Sequence, residues 1–188
     1  MRQPAPPRRR LAAFGLDYLV IVAYAIVLFL VTRLMVGPLE VPESFGWRVD
    51  LLAFGTLVLP VILYFSLSEA SRSGGTWGKR QVGICVVSRE GTRISVPQSL
   101  MRSSAKFAPW QIAHTCLFHI PGWPLHPDAA SKWMLGTYGA VGLAVISLLS
   151  LFLSRGHRTV YDLVAGTSVI DLPPTSDPRI VRGPRGGV

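Results

Sequence analysis

The chain has 188 residues, enough for one domain, and 15% of them are charged, compared with about 25% in an ordinary soluble domain. Hydrophobic residues make up 49%, a balance that favours a membrane protein. The net charge of +9 would suit a nucleic-acid-binding protein, but the basic residues flank apolar runs instead of forming one patch interleaved with aromatic side chains. We therefore expect no nucleic-acid partner. Cys85 and Cys116 cannot form a disulfide framework, and we predict that both are free thiols.

The chain begins with a basic segment that leads into a long apolar run. We predict that residues 1–10 are a disordered cytoplasmic tail in which Arg8 and Arg9 contact anionic lipid headgroups. Residues 11–36 exceed the about 20 residues that a helix needs to cross a bilayer. A secretory signal has a shorter apolar core followed by a small-residue cleavage site, which is not found here. We therefore expect an uncleaved first span.

Three further segments are candidates for membrane spans. Residues 51–68 form the second, and Pro60 in its middle should bend the helix and free a carbonyl group for a neighbouring helix to bind. Residues 133–153 are a clean apolar run of span length. Residues 107–123 are apolar but rich in Pro and His, so they either cross the membrane or re-enter it.

The distribution of basic residues favours crossing. With four spans, every Lys and Arg except Arg33, Arg48 and Lys132 lies on one side, which the positive-inside rule assigns to the cytoplasm. A re-entrant segment would put the basic C-terminal residues outside, which the rule disfavours. We therefore predict a multi-pass protein of the cytoplasmic membrane with both termini inside.

The polar segments between the spans predict a small cytoplasmic cap, built from residues 73–96 and 155–171. Residues 84–87 and 167–170 are rich in β-branched side chains, and we predict that they pair as strands. Residues 93–96 are a candidate return strand of a hairpin with the first. Ser95 and Gln98 have capping-box spacing, so a helix should begin there.

Together these elements predict an all-α membrane protein: a four-span transmembrane helical bundle whose cap contains short β-strands. The membrane domain covers residues 11–171, and residues 172–188 are expected to form a disordered tail.

Asp17 is an ionisable residue inside a predicted span, where such residues are costly and commonly functional. It follows Arg10 by seven residues, so the two share a helix face about 10.5 Å apart along the axis. Asp17 is either a proton or small-cation site, or a structural group that binds a neighbouring span or Arg10. Asp162 either pairs with Arg158 on a short helix or closes the cytoplasmic face against the basic loop or Arg10.

Other candidate motifs fail on spacing. Residues 74–80 are rich in Gly, but Arg80 stands where a phosphate-binding loop has Ser or Thr. We predict instead that Lys79 and Arg80, and likewise Arg102 and Lys106 on the following helix, contact lipid headgroups.

The histidines and cysteine near the third candidate span match no standard zinc spacing (His114, Cys116, His119 and His126). The chain contains no recognisable set of nucleophile, base and acid. We therefore expect no metal, no cofactor and no enzymatic activity.

Arg10, Asp17 and Asp162 resemble the pattern that names the RDD family of small membrane proteins: an Arg at the start of the first span, an Asp within it and a second Asp further on. The resemblance extends to residues 75–87 and 161–167, whereas residues 107–132 match nothing in it. It implies a bacterial-type cytoplasmic-membrane protein. Cation/proton antiport has been assigned to some members, and most are uncharacterised.

Two functions follow from these observations. One is transport of protons or monovalent cations, with Asp17 as the binding site and Arg10 and Asp162 gating the cytoplasmic side; so short a chain would then act as a homo-oligomer. The other is a non-transporting accessory or scaffold protein that binds a membrane partner or anionic lipid. Polar groups of other spans that converge on Asp17, with Gln111 and His114 as candidates, would favour transport.

Overall fold

The computed structural model describes residues 3–36, 46–123, 126–128, 130–154 and 156–172, so the predicted tail after residue 172 lies outside the described residues. The elements, in chain order, are α1 (Pro7–Val36), α2 (Trp47–Ala53), a π turn (Phe54–Val58), α3 (Leu59–Ala70), α4 (Trp77–Gln81), β1 (Ile84–Ser88), α5 (Val96–Phe118), α6 (Lys132–Leu153), α7 (Val160–Val164) and β2 (Thr167–Asp171).

Three of the described helical segments are long and apolar enough to cross a membrane: Pro7–Met35, Trp47–Ala70 and Lys132–Leu153. Helix α5 is not among them, so the fourth span stays a prediction. The first and third of these segments expose most of their large apolar side chains, as lipid-facing helices do (for example Leu34, Leu135 and Leu153). The second exposes fewer, because part of it packs in the bundle.

Pro60 has the predicted effect on the second of these segments. The π turn directly precedes α3, whose second residue is Pro60. Proline cannot donate to the carbonyl four residues earlier, which belongs to Thr56. The hydroxyl of Tyr24 on α1 donates to that carbonyl instead. The freed acceptor therefore joins α1 to the second segment.

Helix α5 packs between α3 and α6. Phe107 of α5 packs edge to face against Phe65 of α3, in a buried cluster that also contains Val58, Val61 and Ile62. At one end of the bundle, which we call the charged end, the first turns of α5 lie beside α7 and the last turn of α3, and Glu69 of α3 contacts both Arg102 of α5 and Lys79 of α4. At the other, the far end, His119 lies 3.6 Å from Asp50 and its ring centroid 4.8 Å from that of Trp133.

The predicted strand pairing is confirmed. β1 and β2 form an antiparallel pair in which Ile84 lies opposite Asp171 and Ser88 opposite Thr167. The predicted hairpin partner is not a strand, because only a single bridge joins Val87 to Arg93 before α5 begins. The predicted cap of α5 is present: the Ser95 hydroxyl accepts from the Gln98 amide at 3.3 Å.

The prediction of a disordered tail over residues 1–10 is wrong for residues 3–10. The Ala5 amide donates to the Val169 carbonyl at 2.9 Å, Pro4 forms a bridge with Ile170, and the Ala5 side chain is fully buried. Pairing with β2 satisfies backbone groups that composition alone assigns to solvent. Helix α1 then begins at Pro7, a residue well suited to a first turn.

Candidate functional site

Asp17 is hydrogen-bonded to the segment that follows α3. Its side chain is 1% exposed. One carboxylate oxygen accepts from the Thr76 hydroxyl at 2.5 Å, and the other accepts from the Gly78 amide at 2.9 Å and lies 3.4 Å from the Tyr64 hydroxyl. Thr76 is the N-cap residue of α4, so Asp17 and Thr76 together serve the free amides of its first turn.

Gly78 permits this close approach of α4 to α1. A Cβ atom at Gly78 would overlap the Ala13 carbonyl oxygen and lie 2.8 Å from an Asp17 oxygen. The amide of Gly78 can therefore reach Asp17 only because the residue has no side chain. This contact explains why the two helices meet here, although α4 has only five residues.

Asp162 is the centre of a second, more strongly charged arrangement and is fully buried. One carboxylate oxygen accepts from Arg10 Nη2 at 2.5 Å and from the amide and hydroxyl of Thr159 at 3.1 and 2.8 Å. The other accepts from Nε and Nη2 of Arg102 at 3.0 and 2.7 Å. Asp162 thus joins α1, α5 and α7.

Arg102 continues this network to α3. Its Nη1 donates to both oxygens of Glu69, at 2.8 and 2.6 Å, and Lys79 Nζ donates to Glu69 at 2.5 Å. Arg102 is 1% exposed and Glu69 fully buried. We call these five residues the buried ion cluster: Arg10, Glu69, Lys79, Arg102 and Asp162. Cations and carboxylates alternate along it, so each buried charge faces an opposite one.

Asp162 and Lys79 are the members of the cluster that lie outside the long apolar helices, and neighbouring charges influence the pKa of each. Burial alone would raise the pKa of Asp162, but Arg102 and Arg10 outweigh burial and hold that pKa well below its ordinary value. Burial lowers the pKa of Lys79, and the carboxylate of Glu69 opposes that change. Asp162 is therefore ionised at neutral pH.

Comparison with known proteins gives a family match that covers Arg10, Asp17 and Asp162. Residues 4–166 match the model of the RDD family. The chain belongs to the RDD family. It is also 31% identical over 113 residues to the uncharacterised protein YxaI of Bacillus subtilis (strain 168), an alignment that covers 54% of this chain and 75% of YxaI. No solved structure matches the chain.

The three residues of the RDD pattern separate into two contacts. Arg10 donates to Asp162 and to the His157 carbonyl, whereas Asp17 binds Thr76, Gly78 and Tyr64. The interpretation in which Asp162 contacts Arg10 is confirmed, and no ion pair between Asp162 and Arg158 occurs among the described residues. Of the polar groups on the other apolar segments, Tyr64 does reach Asp17, with its hydroxyl 3.4 Å away. Gln111 and His114 do not: the Gln111 amide donates to Thr115, and the His114 ring stacks on Phe118.

Two of the predicted headgroup contacts are wrong for this RDD protein. Lys79 and Arg102 are 7% and 1% exposed, and each is paired with a buried carboxylate instead of facing outward. Lys106 is partly buried, with its Nζ 3.7 Å from the ring centroid of Phe65. Arg8, Arg9 and Arg80 are exposed, and Arg9 pairs with Asp171 at 3.2 Å.

Sequence reasoning missed Glu69, Thr76 and Thr159, which complete the two networks. Thr159 and Asp162 have the three-residue spacing of a capping box, a signal that could have marked Asp162 as a helix cap. Glu69 ends an apolar run, and an acidic residue there resembles an ordinary solvated boundary. Its partners lie 10 and 33 residues away, and no local pattern connects them.

Proposed function

We propose that this RDD-family protein is a four-span, non-transporting accessory protein of the cytoplasmic membrane, without enzymatic activity, whose charged end contacts anionic lipid headgroups. Both termini would lie on the cytoplasmic side. The observation that carries the proposal is the hydrogen bonding of Asp17, because both its oxygens are held by structural donors.

The surroundings of Asp17 disfavour a cation site. An ion that displaced the Thr76 hydroxyl or the Gly78 amide would leave a buried donor unsatisfied, at a cost of about 1–3 kcal/mol. Lys79 lies nearby and is itself buried. A second positive charge in this region would meet repulsion as well as lost hydrogen bonds.

The length and position of α5 support four spans. Arg102 in its first turns reaches Glu69 at the end of α3, and His119 just after its last turn reaches Asp50 near the start of α2. Helix α5 therefore covers the same length of the bundle as the segment Trp47–Ala70, which is long and apolar enough to cross a membrane. Single-cysteine variants at Arg80 and Lys132, in a chain without Cys85 and Cys116, should react with a membrane-impermeant maleimide only from opposite sides.

The exposed cations of the charged end support the lipid contact. Arg8, Arg9 and Arg80 project from the start of α1 and from α4. At an anionic membrane surface each such residue contributes about 1 kcal/mol of attraction. We expect this charge to orient the protein and to gather anionic lipid around it.

Lipid enrichment tests this proposal. Protein extracted in polymer discs from membranes that contain phosphatidylglycerol and phosphatidylethanolamine should retain an excess of phosphatidylglycerol. Replacing Arg8, Arg9 and Arg80 with Gln should reduce that excess, whereas replacing Arg33 and Arg48 with Gln should not. Equal lipid compositions for the two variants would contradict the proposal.

Proton or monovalent-cation transport is the second candidate, and one observation favours it. Near the far end, three buried polar atoms lack a hydrogen-bond partner in the part of the chain that the structure describes: Asp50 Oδ1, Gln111 Oε1 and His114 Nδ1. Such atoms are commonly served by water. A hydrated path along α5 would therefore have polar groups to follow, although Asp17 would not be its binding site.

A further inference from the structure

A cavity of about 340 Å³ lies at the charged end, between α1 on one side and α5 and α6 on the other. Its volume falls within the range of about 300–1,000 Å³ that is typical of small-ligand sites. One wall carries charged side chains and the other is apolar, so the cavity suits a ligand with two chemically different parts.

The charged wall is predominantly positive. Arg10, Lys79, Arg102 and Lys106 line it, and Asp17 is the carboxylate among the lining residues. Glu69 and Asp162 pair with three of these cations but are not among the groups that face the cavity. The cavity therefore presents cations toward a ligand, with their counter-charges behind them.

Lys106 differs from the other cations of this wall because it forms no ion pair within the described residues. Its Nζ lies instead over the rings of Phe65, Phe107 and Phe14, at 3.7, 5.1 and 5.3 Å from their centroids. A cation–π contact stabilises the charge but leaves the ammonium hydrogens without acceptors. An anionic group is the complement that this wall lacks.

The other wall adjoins the charged one at Phe14 and is apolar and open to the outside of the bundle. Leu11, Phe14 and Trp110 line it and are 41%, 47% and 49% exposed, and Leu148 and Ala144 of α6 complete it. These side chains belong to the lipid-facing surface of α1, α5 and α6. An acyl chain could leave the cavity here and continue directly into the bilayer.

We propose that this cavity binds one anionic phospholipid, with the headgroup phosphate against Lys106 and the upper part of an acyl chain along Leu11, Phe14 and Trp110. The inference extends the proposed function, on whose orientation of the charged end it rests, from contact with many headgroups to retention of one lipid. Lys106 is the binding residue, and the buried ion cluster keeps the other cations in place.

Native mass spectrometry of the full chain in detergent micelles tests the site. Titration with dioleoyl phosphatidylglycerol should give one tightly bound lipid per chain, and dioleoyl phosphatidylcholine should bind much more weakly. Lys106→Gln should weaken phosphatidylglycerol binding about tenfold or more, as expected for the loss of a hydrogen bond to a charged group. Lys106→Arg should retain binding, which separates charge from folding.

Two matched pairs of variants sharpen the test. Ala144→Phe fills the cavity and should abolish binding, whereas Val145→Phe, at an exposed neighbouring position on α6, should not. Arg80→Gln removes a cation outside the cavity and should leave the single bound lipid unchanged. Binding unaffected by Lys106→Gln and Ala144→Phe would overturn the proposal.

A further arm separates a lipid from a free anion. Inorganic phosphate at millimolar concentration should not displace the lipid, and full displacement would mean that the site takes free phosphate. Failure of the proposed function gives a different result: the variant with Gln at residues 8, 9 and 80 would keep the full lipid enrichment of the native protein, whatever Lys106→Gln does to the single bound lipid.

Discussion

The two ends of helix α5 differ in whether their buried ionisable groups have hydrogen-bond partners. At the charged end, Arg102 is 1% exposed, and both carboxylates that face it are bound by further donors. Near the far end, Asp50, Gln111 and His114 each keep a buried atom without a partner among the described residues. At the charged end the hydroxyls of Ser99 and Ser103 also lack a partner there, but these are neutral groups beside the buried ion cluster, whose charges are all paired. An unpaired buried polar atom costs about 1–3 kcal/mol, whereas a paired one contributes to stability. We therefore expect the loss of a paired ion at the charged end to cost more stability than a change at the far end.

The sharpest way to break this comparison is to remove one charge from each end. Glu69→Gln leaves Lys79 and Arg102 facing a neutral group, and we expect a loss of about 3–5 kcal/mol in the free energy of unfolding. Asp50→Asn should cost less than about 1 kcal/mol, because its contact with the His119 ring is long at 3.6 Å and partly exposed. Unfolding in detergent micelles measures both, and similar losses would contradict the comparison.

Gly78→Ala tests the second contact of the charged end. The added Cβ would overlap the Ala13 carbonyl oxygen and crowd Asp17, and we expect a loss of about 1–3 kcal/mol as α4 moves away from α1. Gly15→Ala is the matched control on α1, because nothing lies within 4 Å of its Cβ position. Gly15→Ala should be neutral or slightly stabilising. The same unfolding assay measures both variants. If Gly78→Ala is as stable as the native protein, α4 and α1 are not in tight contact at Gly78.

Acid should weaken the charged end. The pKa of Asp162 lies below its unfolded value of about 4 because Arg102 and Arg10 outweigh burial, so its ionisation stabilises the fold above that pH. This contribution falls as the pH drops below about 4, by about 1 kcal/mol per pH unit. Unfolding free energies measured at a series of pH values should therefore fall more steeply for the native protein than for Asp162→Asn. If the two proteins lose stability in parallel as the pH falls, the ionisation of Asp162 is not the cause of the acid sensitivity. Asp128→Asn, at an exposed far-end acid, should follow the native curve.

The far end should accept an apolar replacement. His114→Phe keeps a ring against Trp110 and Phe118 and removes the unpartnered Nδ1 atom. We expect a change between neutral and about 1 kcal/mol more stable in the unfolding assay. A clear loss of stability would indicate that Nδ1 has a partner, such as a bound water, and that the far end is as specific as the charged end.

Much of the fold could be predicted from the sequence because its signals are local. Long apolar runs predicted the helices of α1, α3 and α6, and β-branched residues predicted the pairing of β1 with β2. The capping residue Ser95 marked the start of α5. Pro60 predicted the freed carbonyl that Tyr24 binds. Each of these follows from composition or from spacing within a few residues.

The candidate site was only half predictable because its contacts are long-range. A contact of Asp162 with Arg10 was one of two alternatives, the other being a pair with Arg158. Arg102 was predicted to face lipid because an exposed basic helix and a buried ion cluster have the same local sequence. Lys79 was misassigned for the same reason. The ordered conformation of residues 3–10 depends on backbone hydrogen bonds to β2, which lies more than 160 positions away in the sequence. Burial, which separates these cases, is a property of the whole fold.

The central claim is that Asp17 holds α4 against α1 through hydrogen bonds and does not bind an ion. Measurements of ion flux in liposomes test it. Native protein, reconstituted with proton- and sodium-sensitive dyes, should give no flux above that of empty liposomes. Asp17→Asn should destabilise the fold, by loss of charge at the Thr76 and Gly78 contacts, without changing that background. Flux by the native protein that Asp17→Asn abolishes, in samples shown to be folded, would contradict the account and establish Asp17 as part of a transport site.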